Sequence, residues 1–185
     1  MEETMENELM RVLKTRRSIR RFKEQPIEAE KMATVLEAVR WSPSWGNTQC
    51  WEIVIVTERE QKEKLQATLA PKNPATKAMV GAPAVLVVCG KEHTAGWYDG
   101  KPATRFPDWL MFDLGIATQS ICLTAHSLGL GTVVVGLFDH AKADELVGLP
   151  AGYQVVAMIP IGYPDNDPSP PKRRETNEFT HREKF

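Results

Sequence analysis

The sequence is poor in the residues that build disulfide frameworks and metal sites. Its 185 residues include three cysteines, an odd number without CxxC spacing, and four histidines with no HExxH-type pattern. We therefore expect neither a disulfide scaffold nor a bound metal. Reduced cysteines are also what a cytoplasmic protein would contain, so we expect that location.

Long apolar runs and an excess of one charge are also missing. The most apolar stretch, APAVLVVCG at 82–90, is far shorter than the roughly 20 residues that span a bilayer. The acidic start, MEETMENELM, lacks the apolar segment of a signal peptide. A formal net charge of −1 argues against binding nucleic acid through overall charge. We expect a globular protein with no membrane and no nucleic-acid partner.

Hydrophobic periodicity and turn residues predict helices and strands in alternation. The predicted helices cover 3–14, 27–41, 58–69, 109–129 and 140–147, and the predicted strands cover 51–56, 83–90, 132–138 and 153–164. A Thr57–Glu60 capping box is expected to begin the third helix, while Asp108 and Asp139 cap the last two. Residues 91–107 form a long loop with several aromatics. This order indicates an α+β or mixed α/β fold with about four strands.

One short stretch concentrates positive charge. From Leu9 to Lys23 the chain has seven Lys or Arg residues and no acid, with TRRSIRRF at the centre. An extended segment would put Arg16, Ser18 and Arg20 on one face, whereas a helix would pair only the two arginines. The segment is either a solvated basic patch or an anion site. A second basic group, KRR at 172–174 in a polar, proline-rich tail, favours the anion site.

Common nucleotide and nucleophile motifs are not found in the sequence. It contains no GxxxxGK[ST], no GxGxxG between a strand and a helix, and no GxSxG. No set of side chains suggests nucleophilic catalysis, so we name no catalytic residue.

Four motifs together resemble the FMN-dependent nitroreductase family, whose members are NAD(P)H-dependent flavin oxidoreductases. In order, they are RRSIRRF, SPSWGNTQCW, GLGTVVVGLFD and IPIGYP followed by KRRETNEF, and the resemblance covers about residues 8–182. It implies an α+β fold in which a mostly antiparallel sheet of four to five strands is flanked by helices around a long central helix. It further implies one domain at 1–164 and, at 165–185, an arm that extends to the partner subunit of a homodimer and completes the FMN site.

The resemblance also assigns FMN contacts to residues of this chain. Arg16, Arg17 and Ser18 match the motif at the phosphate and ribityl chain, and Arg20 matches a cation near the flavin pyrimidine edge. The loop that reaches the flavin from the partner subunit corresponds to Pro43, Ser44, Trp45, Asn47 and Gln49. Val135 and Gly136 match the backbone beside N5. Lys172 and Arg173 match the basic tail that returns to the phosphate, with Arg174 as an alternative register.

The implied activity is hydride transfer from NADH or NADPH through FMN to a nitroaromatic, a quinone or a similar small electron acceptor, in a ping-pong cycle. The alternative is an FMN-binding flavin store or redox sensor without significant turnover. Two positions depart from the family pattern: Cys50 replaces a common proline in the loop, and Glu175–Thr176 replaces a Pro-Leu pair in the tail.

Overall fold

A computed structural model describes residues 7–185, so the predicted start of the first helix at residues 3–6 lies outside the described residues. The helices are α1 Glu8–Thr15, α2 Ala29–Arg40, α3 Arg59–Gln66, α4 Thr76–Gly81, α5 Leu110–Ser127 and α6 His140–Val147. The strands are β1 Trp51–Val56, β2 Ala84–Lys91, β3 Trp97–Tyr98, β4 Lys101–Pro102, β5 Gly131–Thr132 and β6 Tyr153–Gly162. Short 3₁₀ turns occupy Trp45–Asn47 and Thr176–Glu178.

Four of the strands form one antiparallel sheet in the order β1-β2-β6-β5. β2 is buried from Ala84 to Gly90, because helices cover both faces of the sheet. Leu86 and Val88 pack with α2 and α5 on one face, while Val85 and Val87 pack with α3, α4 and α6 on the other. Successive side chains of this strand therefore pack alternately into two hydrophobic cores, one on each face of the sheet. The α+β class predicted for the chain is confirmed.

The second sheet is the hairpin β3–β4, which lies within the segment predicted as a loop at 91–107. The indole N–H of Trp97 donates to Pro107 O at 2.8 Å, and that of Trp109 donates to Thr104 Oγ1 at 2.9 Å. These bonds fold the segment back on itself, so a long connection acquires its own structure.

Three local predictions differ from the structure. The strand expected at 132–138 forms a continuous ladder only at Gly131–Thr132, because Val133 faces Pro160, which accepts from Val133 N at 3.3 Å but has no N–H to return. Pairing with β6 resumes as a single bridge between Val135 and Met158. The Thr57–Glu60 capping box is wrong, since α3 begins after Glu58 without a side-chain cap. The short helix α4 was not predicted in the proline-rich segment before β2.

The cap predicted for α6 is confirmed, since Asp139 accepts from Lys142 N at 3.0 Å. The cap predicted for α5 is displaced by one residue: Trp109 is the N-cap and has no side-chain cap, while Asp108 Oδ1 accepts from Leu110 N at 2.8 Å. Gly129, with φ of 78°, follows the C-terminal end of α5 and supplies the left-handed turn. None of the helices within residues 7–185 has the length and apolar character needed to cross a membrane.

Candidate functional site

The basic segment after α1 is extended and lies along the edge of the sheet. Ser18 forms a parallel bridge with Thr132, and Ile19 N donates to Thr132 O at 2.9 Å. The Ile19 side chain is buried against Gly131, where a Cβ would lie only 2.5 Å from Ile19 Cγ1. Burial of Ile19 on one face leaves Arg16 and Ser18 half-buried on the other. The extended alternative is therefore the one that the structure adopts.

The start of the tail lies beside the same segment. Lys23 N donates to Tyr163 O at 2.9 Å, Phe22 bridges Pro164, and Asp165 N donates to Arg21 O at 3.0 Å. These contacts make the chain leave β6 next to the arginines, so residues that follow Asp165 can reach them.

A cavity of about 290 Å³ forms where the two basic groups meet. Its lining consists of Arg16, Arg17, Ser18, Arg20, Pro168, Ser169, Pro171 and Arg173. The lining residues include four arginines and two serines, and none of them is acidic. Such a lining is suited to an anion with several oxygen acceptors.

The arginines around this cavity differ in how they are engaged. Arg17 donates to the carbonyls of Lys14 and Arg16 at 2.7 and 2.8 Å, and Arg20 donates weakly to Ser18 O at 3.4 Å. Within residues 7–185, the guanidinium groups of Arg16 and Arg173 have no hydrogen-bond or ion-pair partner. Those two are thus the best placed to bind an external anion.

The sequence left open whether Arg173 or Arg174 is the tail residue at the site, and the structure distinguishes them. Arg174 donates to Glu178 O and its guanidinium carbon lies 5.7 Å from the centre of the Phe179 ring. Arg173 lines the cavity, whereas Lys172 and Arg174 do not. The geometry favours Arg173 as the tail residue of this site.

The loop between α2 and β1 forms a separate surface. Pro43, Asn47 and Gln49 line an open depression of about 400 Å³ together with Arg40, Trp41 and Ser42. Ser44 Oγ accepts from Gln49 N at 3.0 Å and closes the loop. The ring of Trp45 turns inward, with its centroid 4.8 Å from that of Trp109, so this residue packs the loop onto the core. No residue is shared between this depression and the arginine cavity.

Beneath this loop lies a carboxylate that the sequence analysis did not single out. Asp113 is 1% exposed and accepts from Trp45 N, and the Cys50 thiol lies beside it. Burial raises the pKa of Asp113, although the hydrogen bond from Trp45 N opposes this effect. Burial, with help from Asp113, raises the pKa of the Cys50 thiol to about 12, so the thiol stays protonated. The available signal was the single acid in the sequence of α5, which stands among the apolar residues of its first turns.

Val135 and Gly136, which follow β5, differ in exposure. Val135 exchanges two backbone hydrogen bonds with Met158, both at 2.9 Å, and its side chain is buried. Gly136 is exposed, and a Cβ on it would meet nothing within 4 Å. His140 Nε2 lies 3.3 Å from Gly136 O. Gly136, rather than Val135, therefore offers the open backbone surface.

The sequence of this chain is similar to those of known proteins. The Nitroreductase family matches residues 13–163. A putative NADH dehydrogenase/NAD(P)H nitroreductase of Archaeoglobus fulgidus is 31% identical over 86% of this chain and 87% of its own. An FMN reductase [NAD(P)H] of Bacillus subtilis is 28% identical over 97% of this chain and 75% of its own.

A solved structure extends the likeness to the fold. The NADPH:FMN oxidoreductase of Vibrio harveyi, complexed with NAD⁺, superposes with a TM-score of 0.83 at 28% identity, covering 97% of this chain and 78% of that one. The family match spans most of the chain, including the basic segment, the loop at 42–49 and all four strands of the main sheet. This chain belongs to the Nitroreductase family.

Proposed function

We propose that this protein is an FMN-dependent oxidoreductase that takes electrons from NADH or NADPH and passes them to a small organic acceptor. The observation that carries the proposal is the cavity where Arg16 and Ser18 meet Arg173 from the other end of the chain. The relatives from Bacillus subtilis and Vibrio harveyi are named for FMN and NAD(P)H, which agrees with such a site.

The residues present fit the FMN phosphate. A phosphate monoester is a dianion near neutral pH, and its oxygens match the planar donor fork of arginine. Arg16 and Arg173 have guanidinium groups without a partner in the described chain, and the Ser18 hydroxyl adds a neutral donor. The cavity volume of about 290 Å³ is at the lower end for ligand sites, which suits the phosphate and part of the ribityl chain but not the whole cofactor.

FMN, when bound, supplies the capacity to accept hydride from a nicotinamide and to release electrons to a second substrate. The chain's part is to bind and orient it. Arg20 would place positive charge near the pyrimidine edge, where reduced flavin gains negative charge. Gly136 would let the backbone approach closely, because it presents no side chain and faces open space. If the nicotinamide and the nitroaromatic or quinone acceptor bind in turn to the same face of the flavin, the reaction is a ping-pong cycle.

A homodimer accounts for two further features. The loop at 42–49 and the arginine cavity are separate surfaces in one chain, so a second copy is the simplest way to bring both against one FMN. The longest helix, α5, also carries an open groove with helical spacing, lined mainly by apolar residues: Met111, Phe112, Gly115, Ile116, Gln119, Ser120 and Leu123. Met111 and Phe112 are 65% and 60% exposed, which is unusual for large apolar side chains of a central helix.

The tail is proposed to complete this arrangement. Beyond Arg173, residues 174–185 are exposed throughout and contribute no buried side chain to the domain at 1–164. Phe179 is 52% exposed. An arm of this kind gains stability by lying on another surface, and a second copy would offer one.

Two measurements test the proposal. Apoprotein titrated with FMN should quench flavin fluorescence with one FMN per chain. The loaded protein, mixed anaerobically with NADH or NADPH, should lose its flavin absorbance near the visible maximum and regain it on addition of a quinone. A protein that binds FMN but is bleached by neither nicotinamide would be a flavin store or redox sensor. One that binds no FMN would contradict both functions.

A further inference from the structure

The loop from Ser42 to Gln49 contains three left-handed residues, of which Gln49 is the least suited to that conformation. Gly46, Asn47 and Gln49 have φ values of 51°, 56° and 48°. Asn tolerates the left-handed region moderately well, but Gln rarely enters it. A conformation of this kind persists only when contacts outside the segment hold it.

The principal contact comes from a buried carboxylate in the first turn of α5. Trp45 N donates to both oxygens of Asp113, at 3.0 and 3.2 Å. Cys50 Sγ lies 3.7 Å from Asp113 Oδ2. The same side chain therefore contacts the first residue of the 3₁₀ turn and the residue that immediately follows the loop.

A second contact ties the loop to the same helix. Ser42 Oγ donates to Ser120 Oγ at 2.7 Å. Ser120 lies seven residues after Asp113, two helical turns further along α5. The loop is thus fastened to one rigid element at both of its ends, with the charged contact nearer the left-handed residues.

We propose that Asp113 is a positioning residue, which fixes the loop at 42–49 in the conformation that presents Pro43, Asn47 and Gln49 to the cofactor. This inference rests on the proposed function, since it takes the loop to meet FMN. A carboxylate suits the task because a charged acceptor binds a backbone N–H more strongly than a neutral one. The N-terminal end of α5 also favours negative charge at this position.

The arrangement links the cofactor loop to the face of α5 that is proposed to bind a second copy. Asp113 is buried, while Met111 and Phe112, on the adjacent part of the helix surface, are exposed.

The test compares two substitutions of Asp113 with one control. Asp113→Leu removes both acceptor oxygens, whereas Asp113→Asn keeps one oxygen for Trp45 N and turns its amide towards the Cys50 sulfur. Leu114→Ala is the matched control, because Leu114 is equally buried on α5 but faces Gly90 and not the loop. If Asp113→Leu does not fold, Asp113→Ala makes the same comparison.

Two readouts separate positioning from stability. We expect the Trp45 amide of the ¹⁵N-labelled apoprotein to exchange with solvent about tenfold faster in Asp113→Leu, and FMN to bind about tenfold more weakly. Asp113→Asn should restore most of both. Leu114→Ala should lower the melting temperature but change neither the exchange rate of the Trp45 amide nor the affinity for FMN.

Unchanged FMN affinity and Trp45 exchange in Asp113→Leu would overturn the inference, as would an equal loss of affinity in Leu114→Ala. If the wild-type protein binds no FMN, the proposed function fails. The amide exchange of the apoprotein would then still show whether Asp113 holds the loop.

Discussion

Removal of Arg16 and Arg173, singly and together, is the most direct test of the cofactor site. Both guanidinium groups line the cavity, and neither has a partner in the described chain, so Arg16→Ala and Arg173→Ala should leave the fold intact. A charge-assisted hydrogen bond contributes about 1.5–3 kcal/mol, which corresponds to roughly ten- to hundredfold in the dissociation constant for FMN. Arg16 is half-buried and Arg173 is exposed, so the larger loss is expected for Arg16→Ala.

The assay is a titration of apoprotein with FMN, followed by quenching of flavin fluorescence at low and at high salt. If both arginines bind one phosphate, the loss in the double variant should differ from the sum of the single losses by at least about 0.5 kcal/mol. Each single variant should also show a weaker dependence on salt, because one charge contact is gone.

Two neighbouring arginines supply matched controls. Arg21 and Arg174 carry the same charge one position away from an arginine of the site or the tail, yet neither lines the cavity. Alanine at either position should change FMN affinity less than threefold, about 0.6 kcal/mol. Equal losses for Arg16→Ala and Arg21→Ala would refute the site, because they would show that overall charge is sufficient. Additive losses with near-normal affinity would place the tail elsewhere.

Three further predictions concern the dimer, the flavin face and the buried carboxylate. Gly115→Glu should yield a folded monomer in analytical ultracentrifugation, since the added Cβ meets nothing within 4 Å in one chain and the side chain carries charge into the proposed interface; Gly81→Glu, equally open at its Cβ, should remain dimeric. Gly136→Leu should lower FMN affinity by more than about tenfold with an unchanged melting temperature, because its Cβ also enters open space. Because burial raises the pKa of Asp113, and the nearby Asp108 adds to the shift, the contribution of Asp113 to the unfolding free energy should fall as pH rises from about 3.9 to the native pKa. In denaturant titrations, the unfolding free energy of the wild type minus that of Asp113→Asn should therefore fall over this pH range, and a difference that rises with pH would contradict the assigned direction.

The parts of the fold that follow from neighbouring residues could be predicted from the sequence. β1 was predicted with its observed ends, and the Asp139 cap and the Gly129 turn are both confirmed. Each depends on side chains and backbone groups within a few residues of one another. The strand predicted at 132–138 failed because Pro160, on a different strand, interrupts its ladder. That interruption depends on the register between the two strands, which the hydrophobic pattern of one segment does not reveal.

In the candidate site, too, the features set by neighbouring residues could be predicted, whereas those set by distant contacts could not. The alternation of Arg16, Ser18 and Arg20 required only an extended backbone, and the structure places all three along one cavity. The anchor at Asp113 could not be predicted, because a lone acid on an apolar helix gives no indication of which backbone N–H will meet it. The left-handed backbone at Asn47 and Gln49 could not be predicted either, since it depends on the contact between the loop and Asp113, which is distant in sequence.

The meeting of the two chain ends has a simple physical origin. The segment at 21–23 pairs with the segment at 163–165 through backbone hydrogen bonds of 2.9 and 3.0 Å and the bridge from Phe22 to Pro164. Once these pairs form, Arg173 is only eight residues from a point fixed beside the arginines, so closing the remaining loop costs little conformational entropy. Proline at 168, 170 and 171 reduces that cost further, because it limits the conformations of the free chain. The arginine cavity is therefore assembled beside the end of the sheet, and the tail needs no core of its own to reach it.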